Sequence, residues 1–452
     1  MRIVIAGAGY GGVRVAQELG KRVRAAGGSY RLTLVNPSPF HVIKTELHTI
    51  AGGAADDPGE VQIPLAELFA GLPVELVFRR IEGVAPQQNR LLLDGGEALE
   101  YDRLVLALGS SPEYFGIPGL AEHAYVLNDI EGALAIRRAV DDLVRGIAVR
   151  GAAGPSGVER GDGVERGPAT GGPDRRRIVV GGGGLTGVEL AGELAWSLRH
   201  RYARSGAGRL VAVTLVEGAP GLLPGLASQL GEGARERLER VGVEVLTGVQ
   251  IREATRNAIV LAGARPDAKT GAPGVGASGA DSPAVFSMAY DLLIWTGGVR
   301  GNRLLEAVFE TDRKGRVIVD PEFRVERFPN VRVLGDAACV MDGSGRPAAP
   351  TAQAAVQQAA WVAVSLWNEV SGGRARAEAP YAAKSKGILA SVGPDYGVGL
   401  LGTVPVHGRW VKWLKDANNV RYLTSIGAFP RKAAGVLTSP GDAARRAAGA
   451  GL

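Results

Sequence analysis

The sequence predicts an α/β protein with two Rossmann-like dinucleotide-binding domains and a small C-terminal α+β region. Two observations lead there. A strand, a glycine turn and a helical period occur in that order twice, in RIVIAGAGYGGVRVAQEL (2–19) and in RRIVVGGGGLTGVELAGELA (176–195). Each copy is followed by a second β-like run, RLTLVN (31–36) and VAVTLVE (211–217). Strand–turn–helix–strand is the unit that cradles a dinucleotide pyrophosphate. Further apolar strands at 101–110, 290–298 and 331–338 alternate with helical patterns, as in largely parallel sheets.

In the first copy, Gly7, Gly9 and Gly12 fit G-x-G-x-x-G, with Gly11 beside them. The first glycine permits the tight turn, the second lets a pyrophosphate approach the backbone, and the third lets the helix pack close to the strand. The positive end of the helix then faces the phosphates. Asn36 ends the second strand, where a side chain can reach a ribose hydroxyl. In the second copy the glycines are Gly182, Gly184 and Gly187, and the strand ends in Glu217. A carboxylate there accepts hydrogen bonds from a ribose 2′-OH and repels a 2′-phosphate, which favours NAD(H) over NADP(H).

Composition narrows the chemistry. The chain has 452 residues, enough for two or three domains, with 46% hydrophobic and 22% charged residues. It has one cysteine, Cys339, which excludes an intrachain disulfide and a dithiol centre built from this chain alone. No Cys/His cluster suggests a metal. The formal charge of +6 suits an anionic cofactor or a membrane surface, and no basic–aromatic pattern points to nucleic acid. The sequence opens directly on a strand, without a signal-peptide pattern, and no apolar run approaches the ~20 residues of a spanning helix. A cytoplasmic protein, at most peripheral on the inner face of the cell membrane, is expected. Residues 151–175 and 263–285 are rich in Gly, Pro and charge and read as flexible insertions, and 431–452 as a flexible tail.

APTAQAAVQQAA (349–360) sets Gln353, Gln357 and Gln358 into the first turns of an alanine-rich helix, with Thr351 as the expected N-cap. Gln353 and Gln357 are four apart and share a face. The stretch 407–426 mixes Trp410, Trp413, Leu414, Val420 and Leu423 with Arg409, Lys412, Lys415 and Arg421, a pattern that suits an anionic interface or a packed helix.

Two dinucleotide units suggest a flavin plus a nicotinamide. The order GAGYGG, ALGS (107–110), GGGLTGVELAGEL (182–194), IWTGGVR (294–300) and LGDAA (334–338) resembles the two-dinucleotide flavoprotein reductases. Where relatives carry a redox cysteine pair, this chain has PFHVIKTELHTIAGG (39–53), which resembles the corresponding part of the type II NADH dehydrogenases. So do TAQAAVQQ, KGILASVG (386–393) and RWVKWLKDANNVRYLTSIG (409–427). The resemblance implies an FAD domain over 1–118 and 299–372, an NAD domain over 119–298, and a membrane or dimer region over 373–430. It implies that Gly109, Asp336 and Ala352 join Gly7, Gly9, Gly11, Gly12 and Asn36 at FAD, and that Gly298 joins the NAD site. Gln353 and Gln357 would offer hydrogen bonds to a quinone, expected to be of the menaquinone type. Glu189 would orient the nicotinamide or relay a proton, and Lys44 would pair with Glu189 or sit at the flavin N5. The implied reaction is hydride transfer from NADH to FAD and two-electron transfer to the quinone, without proton pumping. A homodimer is expected. A reductase of a ferredoxin- or rubredoxin-like protein and an NADH-responsive flavoprotein with weak turnover are the alternatives.

Overall fold

A computed structural model of the chain describes residues 1–27, 29–152, 175–203, 206–263, 284–341, 345, 347–372, 381–383 and 387–428. Most of both expected insertions and the whole of the tail lie outside the described residues. The first sheet runs Arg324–Val325, Phe328–Val333, Arg103–Leu106, Arg2–Ala6, Arg31–Val35, Glu75–Val77 in spatial order, parallel except at its first pair. Its central strand Arg2–Ala6 leads through the glycine turn into the first-cradle helix, Tyr10–Ala26. The second sheet runs Tyr125–Val126, Leu292–Trp295, Arg176–Gly181, Val211–Glu217, Val243–Thr247, all parallel, and its central strand feeds the second-cradle helix, Leu185–His200. The α/β class and the two Rossmann-like units read from the sequence are those of the structure.

Burial explains why these strands are apolar throughout. In Arg176–Gly181, Ile178 and Val180 join the main core while Val179 joins a second cluster with Leu293 and Trp295 on the opposite face. A parallel strand covered on both sides has no polar face. The chain crosses between the sheets twice, and the crossings pair: Ser110–Pro112 lies antiparallel to Val299–Gly301.

The strand Phe328–Val333 enters the first sheet beside Arg103–Leu106, and the glutamine helix, Ala352–Val370, packs against the first-cradle helix. Glu369 fastens the far end of that helix. Its carboxylate accepts from Arg332 at 2.5 Å and from Arg103 at 2.6 Å, with Arg324 at 3.6 Å. Arg332 is 1% exposed, so Glu369 is the counter-charge of a buried cation.

A three-stranded antiparallel sheet, Ile388–Ser391, Gly397–Leu401 and Val404–Gly408, precedes the C-terminal helix, Arg409–Ser425. The sheet packs on the second-cradle helix, and the C-terminal helix packs on the sheet and reaches side chains of both cradle helices. Gly192 makes this possible, since a Cβ there would stand 2.5 Å from the Gly393 nitrogen. Near the end of the C-terminal helix, Gln17 donates to Ile426 O at 2.7 Å, and Tyr422 meets the ring of His41 at 2.9 Å. Because the other ring nitrogen of His41 must donate to Ala8 O at 2.9 Å, the nitrogen facing Tyr422 accepts from the phenol. Burial holds His41 neutral by lowering its pKa to about 4.

Glu369→Ala leaves Arg332 buried and unpaired. It is expected to destabilise the protein by about 3–5 kcal/mol, measured by urea unfolding.

Candidate active site

The two cradles are packed in the same way. A Cβ on Gly12 would lie 1.7 Å from Gly7 O, and one on Gly187 would lie 1.8 Å from Gly182 O. Gly7 and Gly182 turn with φ +96° and +103°, in the left-handed region. At Gly9 and Gly184, by contrast, a Cβ would meet nothing within 4 Å. The first and third glycines are required by the protein's own backbone. The middle ones border open space at a helix start, which is what a pyrophosphate requires. Gly11 belongs to the packed set, as its Cβ would meet Leu334 at 2.3 Å.

The residues that end the second strands match as well. Asn36 accepts from the Ala8 N–H at 2.9 Å and donates to Ser38 O at 2.7 Å. Glu217 accepts from Gly183 N–H and Ala219 N–H, both at 2.6 Å. Each ties the residue between the first two cradle glycines to the strand. A carboxylate has lone pairs to spare beyond these two bonds, so Glu217 remains able to accept from a ribose hydroxyl.

Between the sheets, Ser110 donates to Asp336 at 3.2 Å, just after the turn at Gly109 (φ +69°). Burial raises the pKa of the Asp336 carboxyl, while Lys44 and Arg316 act against that shift. Lys44 is accessible in the cleft, yet enough protein surrounds its ammonium to lower its pKa, with Asp336 and Asp129 pulling it back. Gly335, Asp336, Thr351, Ala354 and Gln358 line one small cavity. Thr351 caps the glutamine helix by accepting from Ala354 N–H at 3.1 Å. Ala352, Gln353 and Gln357 are half-buried in its first turns, and Gln358 is buried, its amide oxygen accepting from Gly335 N–H at 2.7 Å. Gly298 lies at the second crossing, its carbonyl accepting from Glu113 N–H and its α-carbon facing Phe115.

One expectation is corrected. Lys44 does not pair with Glu189. Lys415 does, at 2.8 Å, because the second-cradle helix turns Glu189 toward the C-terminal helix. The interfacial face expected over 407–426 is therefore split. Trp410 and Trp413 are exposed, whereas Lys415 is 7% exposed and Lys412 is engaged by Asp416 at 2.5 Å. A helix packed on a sheet must bury one of its faces, and that face carries Lys415.

Around Lys415 lies a cluster that sequence reasoning missed. Lys415 also contacts Glu46 at 3.3 Å and donates to Ser391 Oγ at 3.1 Å. Glu189 accepts from Ser391 N–H at 3.1 Å, and the His48 ring meets Ser391 Oγ at 3.1 Å. Burial opposes charge on Lys415, but Glu189 and Glu46 overcome it and hold its pKa well above the usual value. Burial likewise opposes charge on Glu46, and Lys415 with its neighbours reverses this, bringing Glu46 down to about 2. Burial, then Lys415, lowers the His48 pKa. The one available signal was the four-residue spacing of Glu189 and Glu193 within 187–196, a stretch whose other residues are all apolar.

The family model of the pyridine nucleotide-disulphide oxidoreductases matches residues 1–359. The chain belongs to that family. FAD and NAD(H) are its cofactors, and the chain has two cradles with open space at Gly9 and Gly184. This family member is similar to the Type II NADH:quinone oxidoreductase of Staphylococcus aureus (strain MSSA476), at 27% identity over 95% of this chain and 96% of the relative. Its fold is similar to that of NDH2 from Plasmodium falciparum in complex with NADH, with TM-score 0.75, 18% identity, and coverage of 93% and 94%. It is also similar to that of the sulfide:quinone oxidoreductase of Aquifex aeolicus, with TM-score 0.69, 17% identity, and coverage of 94% and 91%.

Gly9→Ala and Gly12→Ala should part company. The first is expected to change the stability of the flavin-free protein by no more than about 0.5 kcal/mol while depleting bound flavin. The second is expected to cost about 1–3 kcal/mol or more by overpacking. Thermal unfolding and the flavin-to-protein absorbance ratio check both.

Proposed function

We propose that the protein is an NADH:quinone oxidoreductase that passes a hydride from NADH to FAD and then two electrons to a quinone of the menaquinone type, without proton pumping. The observation that carries this reading is the pairing of a two-nucleotide flavoprotein fold with a single cysteine. Cys339 is buried, with the Arg316 guanidinium 3.9 Å from its sulfur. A dithiol route out of the flavin is closed, so the electrons leave to another acceptor. The similarity to a type II NADH:quinone oxidoreductase along 95% of the chain supports a quinone.

When bound, FAD supplies the hydride-accepting and two-electron-donating chemistry. The chain supplies position and charge. Gly9 and Gly184 admit the pyrophosphates to two helix N-termini, and Glu217 selects a free 2′-OH. The glutamine helix, capped by Thr351 and held at its far end by Glu369, keeps its positive N-terminus beside Asp336. That end stabilises negative charge developing nearby. Gln353 and Gln357 present uncharged groups to the two quinone carbonyls, which suits a headgroup that is otherwise apolar.

No helix among the described residues is long and apolar enough to cross a membrane. Trp410 and Trp413, 51% and 60% exposed, stand close in sequence to exposed Val404 and Arg409. This apolar–basic edge supports peripheral contact with an anionic bilayer, where a lipid-soluble quinone resides.

Anaerobic stopped-flow tests the acceptor. Protein reduced with one equivalent of NADH and mixed with a short-chain quinone is expected to reoxidise in milliseconds, and Gln353→Ala is expected to slow that phase about tenfold or more. Reoxidation over minutes by quinone, with rapid reoxidation by a ferredoxin- or rubredoxin-like protein, would overturn the reading. Co-sedimentation with anionic lipid vesicles is expected to fall sharply in a Trp410→Ser/Trp413→Ser variant whose NADH-dependent flavin reduction is unchanged.

A further inference from the structure

Glu193 lies one helical turn beyond Glu189 and is fully buried. Both of its carboxyl oxygens lack a hydrogen-bond partner among the described residues, and it enters none of the ion pairs found there. Its side chain fills the space left by Gly52, where a Cβ would come within 2.5 Å of the Glu193 Cβ. The charged groups acting on it come from three elements: Lys412 and Lys415 from the C-terminal helix, Glu46 from the segment before Gly52, and Glu189 from its own helix. His48, hydrogen-bonded to Ser391, belongs to the same cluster, and Ser197, one turn further on, is buried with no partner for its hydroxyl among the described residues. Burial is the dominant influence and pushes the Glu193 carboxyl up to about 8, with the two lysines opposing it.

An unpartnered buried carboxyl is costly to keep. Glu189 and Glu46 share Lys415 at 2.8 and 3.3 Å, which leaves Glu193 as the carboxyl of the cluster without a cation in contact. A proton entering the cluster therefore rests on Glu193. Quinone reduction requires such a proton. NADH delivers two electrons and one hydrogen nucleus as hydride, whereas a quinone becomes a quinol on taking up two electrons and two protons. One proton per turnover must come from the medium.

We propose that Glu193 stores that proton as a neutral carboxylic acid and delivers it to the reduced acceptor through Glu189. The inference rests on the quinone reading above. In the step, the O–H bond of Glu193 breaks as an O–H bond forms on the Glu189 carboxylate, and that bond breaks in turn as the proton passes to the anionic oxygen of the reduced quinone, returning Glu189 to the carboxylate paired with Lys415. The Glu193 carboxylate left behind is reprotonated from solvent before the next turnover. Glu193 touches neither nucleotide nor acceptor. It acts through Glu189, and no electrons pass through either residue.

Infrared difference spectra of the holoenzyme titrated over about pH 6 to 10 read the store without turnover. The carbonyl band of a protonated carboxylic acid is expected to titrate with a midpoint near 8 and to be missing in Glu193→Gln. In single turnovers the same variant is expected to keep NADH-dependent flavin reduction within about twofold and to slow quinone-dependent reoxidation at least about tenfold. Wild-type reoxidation is expected to fall above about pH 8 while that of the variant stays flat. A band that survives in Glu193→Gln overturns the proposal, because the stored proton then sits elsewhere. So does an unchanged rate and pH profile of reoxidation in the variant, which leaves quinone reduction standing and removes Glu193 from it. If wild-type protein is reoxidised by no quinone, the functional reading fails and takes the proposal with it, a result distinct from both others.

Discussion

The contact between Lys415 and Glu189 holds three separately coded parts of the chain together. One is the segment after the first cradle, represented by Glu46 and His48. Another is the second-cradle helix, and the third is the C-terminal helix. A charge pair this deeply buried forms only where the geometry is good and the remaining polar atoms are satisfied, since desolvation otherwise outweighs attraction. Ser391 meets that condition by engaging Glu189, His48 and Lys415 together. The docking of the C-terminal region, and with it the direction of Trp410 and Trp413, follows from that arrangement.

Two further constraints act alongside it. In each cradle the strand must pass within contact distance of its own helix, and only glycine at positions 12 and 187 permits this. The glutamine helix must point at the space between the sheets. It is held at one end by Thr351 and by the Gln358–Gly335 bond, and at the other by Glu369 among three arginines. Both ends are tied to loops and strands of the first sheet, so the helix moves with that unit. A helix dipole stabilises developing charge only if its direction is already set when the charge appears.

Much of this was legible in the residues. Strand–turn–helix patterns report local geometry, and the roles of Gly7, Gly12, Gly182 and Gly187 follow from backbone sterics that no distant residue alters. Thr351 was readable as a cap for the same reason. The partners of Glu189 were not readable. Lys44 and Lys415 are both lysines near plausible motifs, and which one reaches a carboxylate depends on how a helix more than 200 residues away in sequence settles on the second cradle. Lys415 was counted with an interfacial face for a similar reason, since its spacing does not tell which side of the helix meets protein.

Residue pattern and composition were enough for the α/β class, the two cradles, the expectation of an unphosphorylated ribose at Glu217, and the exclusion of a dithiol centre built from this chain alone. These follow from local sterics, local charge and composition. The tertiary structure alone decided that Glu46, His48, Glu189, Ser391 and Lys415 form one cluster and that Glu193 is sealed behind it without a partner among the described residues. Burial is a property of the assembled chain, and it is burial that turns an ordinary helical glutamate into an acid holding its proton near neutrality.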